Sequence, residues 1–415
     1  MNRRRGLGFW IRALIAILLI LVVGAAAARR AAKQGVGTDF HVFWQAGHDF
    51  AHGLPLYQPL PGARRFIYPP FAAQVFQLLS LFPLKTAAWL FYVASVGLIL
   101  VAARLTRVIV QQLERGRPPG RLPLVLSVMV SAAFILDNLV HVQVNLLTFV
   151  LCLLGIQSLI DRRETAATGW LVAATAIKIT PVFFLVWAVI RGSRRVTSSL
   201  AAFGALCLSL PVLQRGFTQG TSDLTAYYQA FLQQFTSGGV IASFRNQNLA
   251  GMIYRALIPS ASGDVYPYDY AYLPSLAAAA PWVYRVTAIL LLAVFIAHLL
   301  RRRITRQPIG KLEIGSVFLA SHLLSGITWK AHLVTLLFVS YAFFSLDPKR
   351  MPGWRRPVLW LAWGGMVVIG LGRDLIGTGL HHYMAGYSVY VWVMLLLFVL
   401  SFVRANMQVD KSMSP

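Results

Sequence analysis

Apolar runs of roughly 15 to 22 residues recur along the whole chain, and this repetition restricts the fold more than any other feature. A helix of that length is about as long as the hydrocarbon core of a bilayer is thick. We therefore predict an all-α polytopic membrane protein with about twelve transmembrane helices. The runs lie near 7–28, 86–103, 123–140, 142–160, 165–179, 180–191, 196–213, 282–300, 312–328, 331–346, 357–372 and 386–403. The runs at 165–179 and 180–191 are short, and we expect a bent hairpin there.

The composition excludes an ordinary soluble domain, because 57% of the residues are hydrophobic and only 12% are charged. The net charge of +25 raises the alternative of a nucleic-acid surface. However, the basic residues concentrate in short loops such as Arg162–Arg163, Arg194–Arg195 and Arg301–Arg303, as the positive-inside rule expects of cytoplasmic loops. A cleavable signal peptide at the start is a second alternative. The length of the first run favours a retained helix, with Arg3–Arg5 inside the cell.

Two polar segments, at about 29–85 and 214–281, are too long to be simple connections. Under this topology both lie outside, and their aromatic content argues against disorder. We predict that they form an extracytoplasmic cap of short helices and loops. The whole chain, 1–415, is then a single integral membrane domain with a short cytoplasmic tail at 405–415.

Asp39 is the strongest candidate for a catalytic base. It follows the first apolar run directly, in a chain with only 13 acidic residues. Partial burial raises the pKa of a carboxylate, which favours general base chemistry. A helix cap, or an ion pair with one of the preceding basic residues, is an equal alternative. These basic residues are Arg29, Arg30 and Lys33.

Three histidines near this carboxylate raise the alternative of a metal site. His41, His48 and His52 are spaced seven and four residues apart, so a continuous helix would place them on one face. Glycines at 47 and 53 interrupt the segment, and we favour a polar surface without metal.

Lys178 is the most anomalous charge, since it lies in an apolar stretch three residues before Pro181. A lysine that snorkels to the membrane surface is the alternative to one that binds the phosphate of a lipid-linked substrate. We favour phosphate binding, because both ends of the 165–191 segment are basic and its turn must lie within or beyond the membrane.

Further polar clusters carry side chains suited to sugars and phosphates. Arg245, Asn246 and Gln247 form part of a polar run in the second outer segment, and a supporting loop is the alternative. Trp329 and His332 stand between two apolar runs. In the polar turn at 137–145, Gln143 and Asn145 are the better candidates for a function. We interpret Asp137, Asn138 and His141 as loop surface or as polar contacts between helices.

Taken in order, these segments resemble the polytopic glycosyltransferases of family 87, within the GT-C superfamily. The family pattern has an early D-F, a P-L-Y, an aromatic-Y-P-P run, a Q-x-N-L turn, an I-K-x-T-P element, an N-Q-S/N-L run and a late W-x-x-H. The matching segments are Asp39–Phe40, Pro55–Tyr57, Tyr68–Pro70, Gln143–Leu146, Ile177–Pro181, Asn246–Leu249 and Trp329–His332. Two departures are a single histidine in the last element and Val142 where glycine is common.

The resemblance implies an inverting transfer of a hexose, with mannose expected, from a polyprenyl-phosphate sugar to a lipid-linked or cell-envelope glycan outside the plasma membrane. It implies that Asp39 is the base, and that Lys178 and Arg245 stabilise the leaving phosphate. Positioning of sugar and acceptor then falls to Tyr68, Asn145, Asn246, Gln247 and His332. No cofactor or metal is expected. A transporter or flippase of lipid-linked substrates and an inactive scaffold are the competing hypotheses.

Overall fold

The computed structural model describes residues 7–33, 39–58, 65–114, 119–233, 239–259, 269–347, 353 and 355–405. The predictions on Arg3–Arg5 and on the tail after residue 405 lie outside these ranges. Within them the chain is helical throughout and contains no β-strand. The predicted all-α class is therefore confirmed.

The α-helices of the described residues are α1 (Leu7–Ala31), α2 (Asp39–Ala51), α3 (Pro70–Ser80), α4 (Leu84–Leu113), α5 (Arg121–Val140), α6 (Asn145–Ile160), α7 (Glu164–Ile177), α8 (Val182–Arg191), α9 (Arg194–Arg215), α10 (Phe217–Tyr227), α11 (Leu249–Leu257), α12 (Ala280–Ile304), α13 (Lys311–Leu323), α14 (Leu336–Phe344), α15 (Arg355–Gly370), α16 (Arg373–Ile376), α17 (Thr378–Gly386) and α18 (Val389–Ala405). A π-helical turn, Tyr228–Leu232, extends α10. Two 3₁₀ helices, Pro274–Ala279 and Lys330–Thr335, precede α12 and α14.

Each of the twelve predicted apolar runs coincides with helix in the structure. By length and hydropathy, four of these helical segments can cross a membrane by themselves: α4, α5, α9 and Pro274–Ile304. A fifth candidate is the pair α17 and α18, which is bent by 54°. The chain is therefore a multi-pass membrane protein, and the number of twelve spans stays a prediction.

Two helices form the centre of the bundle. Every residue of α13 and of α14 is buried, and a helix that is hydrophobic all round belongs inside a large protein. Helix α13 packs against α18 and α14, and α14 packs against α5. In contrast, α4, α9 and α12 expose large apolar side chains such as Leu100, Leu208 and Ile289. These peripheral helices present the surface expected to face lipid.

Helices α7 and α8 form the short hairpin that the sequence predicts. They have 14 and 10 residues, and at about 1.5 Å per residue each is shorter than a hydrocarbon core of about 30 Å. The backbone N–H of Ser193 donates to Glu164 Oε1 over 3.1 Å, so the two open ends of the hairpin meet. Lys178 consequently lies at its closed end.

A buried ion cluster ties the hairpin to the centre at these open ends. Glu313, in the first turn of α13, pairs with Arg191 at 2.9 Å and with Arg302 at 2.6 Å. The indole Nε1 of Trp187 donates to the same carboxylate over 2.8 Å. The ends of α8, α12 and α13 that carry basic residues therefore meet at one end of the bundle, opposite Lys178.

The two polar segments of the sequence contact each other at the Lys178 end. Arg215 donates to the carbonyls of Asp49 and Phe50 at 3.0 and 2.9 Å, and so caps the last turn of α2. Its Nε also pairs with Asp223 of α10 at 2.7 Å. Where α2 packs against α3, Gly47 allows the backbone of Phe76 to approach closely. A Cβ atom on residue 47 would lie 2.5 Å from that backbone. The predicted placement of these segments outside a cell stays a prediction.

Candidate functional site

Asp39 is the first residue of α2 and is partly buried. Gln143, in the turn between α5 and α6, donates from Nε2 to Asp39 Oδ2. A carboxylate at this position also interacts favourably with the helix dipole. Asp39 is therefore held by a side-chain amide and by a helix N-terminus.

Lys178 lies in extended backbone just after α7 and is 6% exposed. Its Nζ donates to Asn145 Oδ1 at 2.5 Å and lies 2.8 Å from Nε2 of His332. It also lies 5.7 Å from the centre of the Tyr68 ring. The lysine therefore points into the protein, among three of the residues predicted to bind substrate, and does not reach for a membrane surface.

Tyr68 precedes α3 and connects the lysine to the carboxylate. Burial, and then the charge of Asp39, raise the pKa of its phenol well above the usual range. The phenol therefore stays protonated at physiological pH and is a hydrogen-bond donor. A phenol in that state does not act as a base.

A cavity of about 320 Å³ opens beside these groups. Its polar residues are Tyr68, Gln143, Lys178, Thr180, Ser325, Trp329 and His332. Its apolar residues include Ile179, Val182, Phe183, Phe231 and Leu232. Binding sites for small molecules commonly combine such an apolar wall with a few convergent polar groups. The cavity suits a substrate with a polar, anionic head and an apolar tail.

The turn between α5 and α6 brings Gln143 to this cavity, and Asn145 to a smaller one of about 30 Å³ that shares His332 with it. The backbone of Val142 has a φ of 49°, in the left-handed region that favours glycine. The N–H of Gln143 donates to the carbonyl of Asn138 over 2.9 Å, which completes a C-terminal helix cap. The left-handed conformation gives a physical reason for the glycine that the family pattern has at position 142.

The polar run in the second outer segment does not line this cavity. Asn246 is fully buried; its Nδ2 donates to the carbonyl of Ile241, and its Oδ1 accepts from the N–H of Thr328. Gln247 donates to the carbonyl of Ala385 at 2.8 Å. Arg245 is exposed, and its guanidinium lies 5.6 Å from the ring of Phe244. The amide of Asn246 therefore holds the loop that carries Thr328, next to Trp329, and the amide of Gln247 holds the chain at Ala385.

Sequence reasoning missed Arg255 of α11, which holds the backbone around residues 243–246. This side chain is buried and donates to the carbonyls of Ser243, Asn246 and Gly386. Its Nη2 also donates to Ser388 Oγ at 2.6 Å. A guanidinium is suited to this task because its donors are fixed in a planar fork. An arginine in a helix of otherwise apolar or small residues was the available signal.

Two of the three histidines of α2 stack on each other. The rings of His48 and His52 stack with their centres 4.1 Å apart, and Trp44 stacks on His48. His52 Nδ1 lies 2.8 Å from the carbonyl of His48. Throughout the described ranges, no three His, Cys, Asp or Glu side chains are placed to hold a metal ion.

Comparisons with known proteins agree with the resemblance. The family model described as "Glycosyltransferase family 87" matches residues 66–326, more than half of the chain. A polyprenol-phosphate-mannose-dependent alpha-(1-2)-phosphatidylinositol pentamannoside mannosyltransferase of Mycobacterium tuberculosis is 27% identical over 366 residues, which is 85% of this chain and 76% of the relative.

Among solved structures, ArnT from Cupriavidus metallidurans bound to undecaprenyl phosphate matches with a TM-score of 0.39 and 12% identity. The match covers 97% of this chain and 78% of ArnT. An overlap this weak does not establish a common fold.

Proposed function

We propose that this chain, which belongs to glycosyltransferase family 87, transfers mannose or another hexose from a polyprenyl-phosphate sugar to a lipid-linked or cell-envelope glycan. The chain is a membrane glycosyltransferase, and the donor, the acceptor and the GT-C architecture are parts of the proposal. The observation that carries it is the position of Lys178 in the lining of the cavity, with Asp39 hydrogen-bonded to Gln143 of the same lining. Their charges interact with each other, and Asp39 also acts on Tyr68.

The proposed reaction is a single displacement at the anomeric carbon. Asp39 removes the proton from an acceptor hydroxyl, and the hydroxyl oxygen forms a bond to the anomeric carbon. The bond from that carbon to the phosphate oxygen breaks, and the electron pair leaves with the polyprenyl phosphate. Attack opposite to the leaving group inverts the anomeric configuration.

Lys178 is the group that we propose for the leaving phosphate. A buried ammonium stabilises charge that develops on the phosphate, and it needs no reorganisation during the reaction. Asn145 and His332 hold its Nζ at 2.5 and 2.8 Å. Arg245 is exposed and lies outside the cavity lining. A phosphate role for it would require the loop to move when the donor binds.

The apolar wall of the cavity supports a lipid-linked donor. Ile179, Val182 and Phe183 stand on one side, and Phe231 and Leu232 of the π-helical turn on the other. Polyprenyl chains have no polar groups, so such a wall accommodates their first isoprene units while the phosphate reaches Lys178. Trp329 is 39% exposed and offers an aromatic face to a sugar ring.

We further propose that the cavity faces the outside of the plasma membrane. The opposite end of the bundle carries Arg191, Arg194, Arg195 and Arg301–Arg303, and basic loops remain in the cytoplasm. The proposed reaction requires no metal, since the base and the phosphate ligand are both side chains. EDTA is therefore expected to leave the transfer rate unchanged.

The purified protein, given radiolabelled polyprenyl-phosphate mannose and a lipid-linked glycan acceptor, tests the proposal. Wild-type protein is expected to label the acceptor, and Asp39→Ala to lower the rate at least about 100-fold. Asp49→Ala, on the same helix, is the matched control and should keep near-normal activity. Normal transfer by a folded Asp39→Ala variant would overturn the mechanism.

Liposomes containing the labelled donor distinguish a transporter from an enzyme. A flippase would move the donor across the bilayer without chemical change, and would do so without acceptor. An inactive scaffold would bind the donor and neither move nor consume it. Either result would contradict the proposed transfer.

A further inference from the structure

The turn at residues 138–145 links the two charged groups of the site. Asn138 is fully buried at the end of α5, and no motif of the sequence assigns it a function. Its Nδ2 donates to the carbonyl of Gln143 at 3.2 Å, and its Oδ1 accepts from Asn145 Nδ2 at 3.2 Å. Gln143 then contacts Asp39, and Asn145 contacts Lys178. A continuous chain of amides therefore joins the base to the lysine.

Backbone groups fix the direction of the hydrogen bonds between these side-chain amides. The carbonyl of Gln143 can only accept, so Asn138 must present its NH₂ group to it. Asn138 therefore turns its oxygen toward Asn145, and Asn145 in turn must present its NH₂ group to Asn138. The side-chain oxygen of Asn145 therefore faces Lys178 and accepts a hydrogen bond from its Nζ.

The same reasoning fixes the other arm. The backbone N–H of Val144 donates to Gln143 Oε1 at 3.3 Å and can only donate. Gln143 therefore turns its NH₂ group toward Asp39 Oδ2. The turn therefore presents a hydrogen-bond donor to Asp39 and an acceptor to Lys178.

We infer that Asn138 is a positioning residue, and that the 138–145 turn orients both reactive groups by presenting an N–H to Asp39 and an oxygen to Lys178. This inference rests on the proposed function. The turn holds the Asp39 carboxylate and the Lys178 Nζ in place before the donor arrives.

Three variants separate the two arms of the amide chain. Gln143→Met is expected to lower kcat roughly 10- to 100-fold, with donor affinity changed little, because only the base loses its partner. Asn145→Ala is expected to weaken binding of a sugar-free polyprenyl phosphate roughly 10-fold or more. Asn138→Ala should show both defects. The double variant Asn138→Ala/Asn145→Ala should bind no more weakly than Asn145→Ala, since the two act in series.

Ser127→Ala is the matched control for burial. Ser127 lies in the same helix, is fully buried and donates only to the carbonyl of Pro123. Measured per folded molecule, this variant should keep the wild-type kcat and the wild-type affinity for polyprenyl phosphate. If Asn138→Ala lowers only the Tm and leaves kcat and polyprenyl-phosphate affinity unchanged, the inference is wrong while the proposed function stands. If wild-type protein neither binds polyprenyl phosphate nor transfers from it, both fail.

Discussion

The amide of Gln143 donates to the carboxylate of Asp39, although the two residues are 104 positions apart in the chain. The family match begins at residue 66, so Asp39 lies before it and Gln143 within it. This contact joins the proposed base to the part of the chain that the family model matches. Gln143 lines the same cavity as Lys178, so Asp39 is connected to that cavity through Gln143, and both charged residues can be tested by substitution.

Lys178→Met should weaken binding of a polyprenyl-phosphate donor at least about 10-fold, because the buried cation at the phosphate position is lost. Lys178→Arg should not restore wild-type affinity, since the fork of a guanidinium does not fit the contacts to Asn145 and His332. Donor binding measured by calorimetry in detergent checks this. Lys85→Met, at an exposed lysine that begins α4, is the control. Equal affinity of Lys178→Met and wild type would contradict the phosphate role.

Asn246→Ala should lower stability by about 1–3 kcal/mol, because it leaves the buried N–H of Thr328 and the carbonyl of Ile241 without this partner. Arg245→Ala, one position earlier and exposed, should change stability by less than about 0.5 kcal/mol. Thermal unfolding of both variants gives the comparison. A folded, fully stable Asn246→Ala with weak donor binding would favour direct contact with substrate instead.

Glu313→Gln should be among the most destabilising single changes in the chain. It leaves Arg191 and Arg302 buried beside a neutral group, and breaking a buried ion pair costs about 3–5 kcal/mol. The variant is expected to lose most of its folded yield in detergent. Glu114→Gln is the control, because Glu114 pairs with Lys311 but is partly exposed. Similar yields for the two variants would contradict this role of the cluster.

Asp223 should make stability depend on pH. Burial raises the pKa of its carboxyl, although Arg215 and Gln219 act in the opposite direction. A raised pKa in the folded state means that the folded protein holds this proton more tightly than the unfolded chain. Stability is therefore greatest below the unfolded pKa of about 4 and falls as the pH rises through the folded value.

The Asp223→Asn variant isolates this contribution, because its amide does not titrate. The Tm of wild type relative to the variant should fall as the pH rises from about 4 toward 7. If the Tm of wild type relative to the variant instead rises with pH, the ion pair between Asp223 and Arg215 outweighs the effect of burial.

The helices and the lysine could be predicted from the sequence. Long apolar runs have few alternatives to helix, because backbone groups in lipid must be satisfied internally. A charge such as that of Lys178 in such a run needs partners inside the protein, and the structure shows them in Asn145 and His332. The short hairpin was predictable for the same reason, since the runs that form it are shorter than a bilayer is thick.

The partners of the amides could not be predicted. Asn145 and Asn246 are the same residue type in similar polar runs, but one faces Lys178 and the other binds backbone carbonyls and an N–H. The sequence shows that these side chains can form hydrogen bonds, but it does not show with which groups, because the partners lie far away along the chain. Arg215 was missed for this reason, since the carbonyls that it caps are about 160 positions earlier.

The burial of α13 and α14 on all sides has a consequence for how this protein responds to its bilayer. A change in membrane thickness acts on the helices that touch lipid, which adapt by tilting. The helices with exposed large apolar side chains include α1, α4, α5, α9 and α12, whereas His332 is attached to the central pair through the 3₁₀ helix before α14. We therefore expect the position of His332 to depend little on lipid chain length, and transfer rates to vary little between short-chain and long-chain lipids.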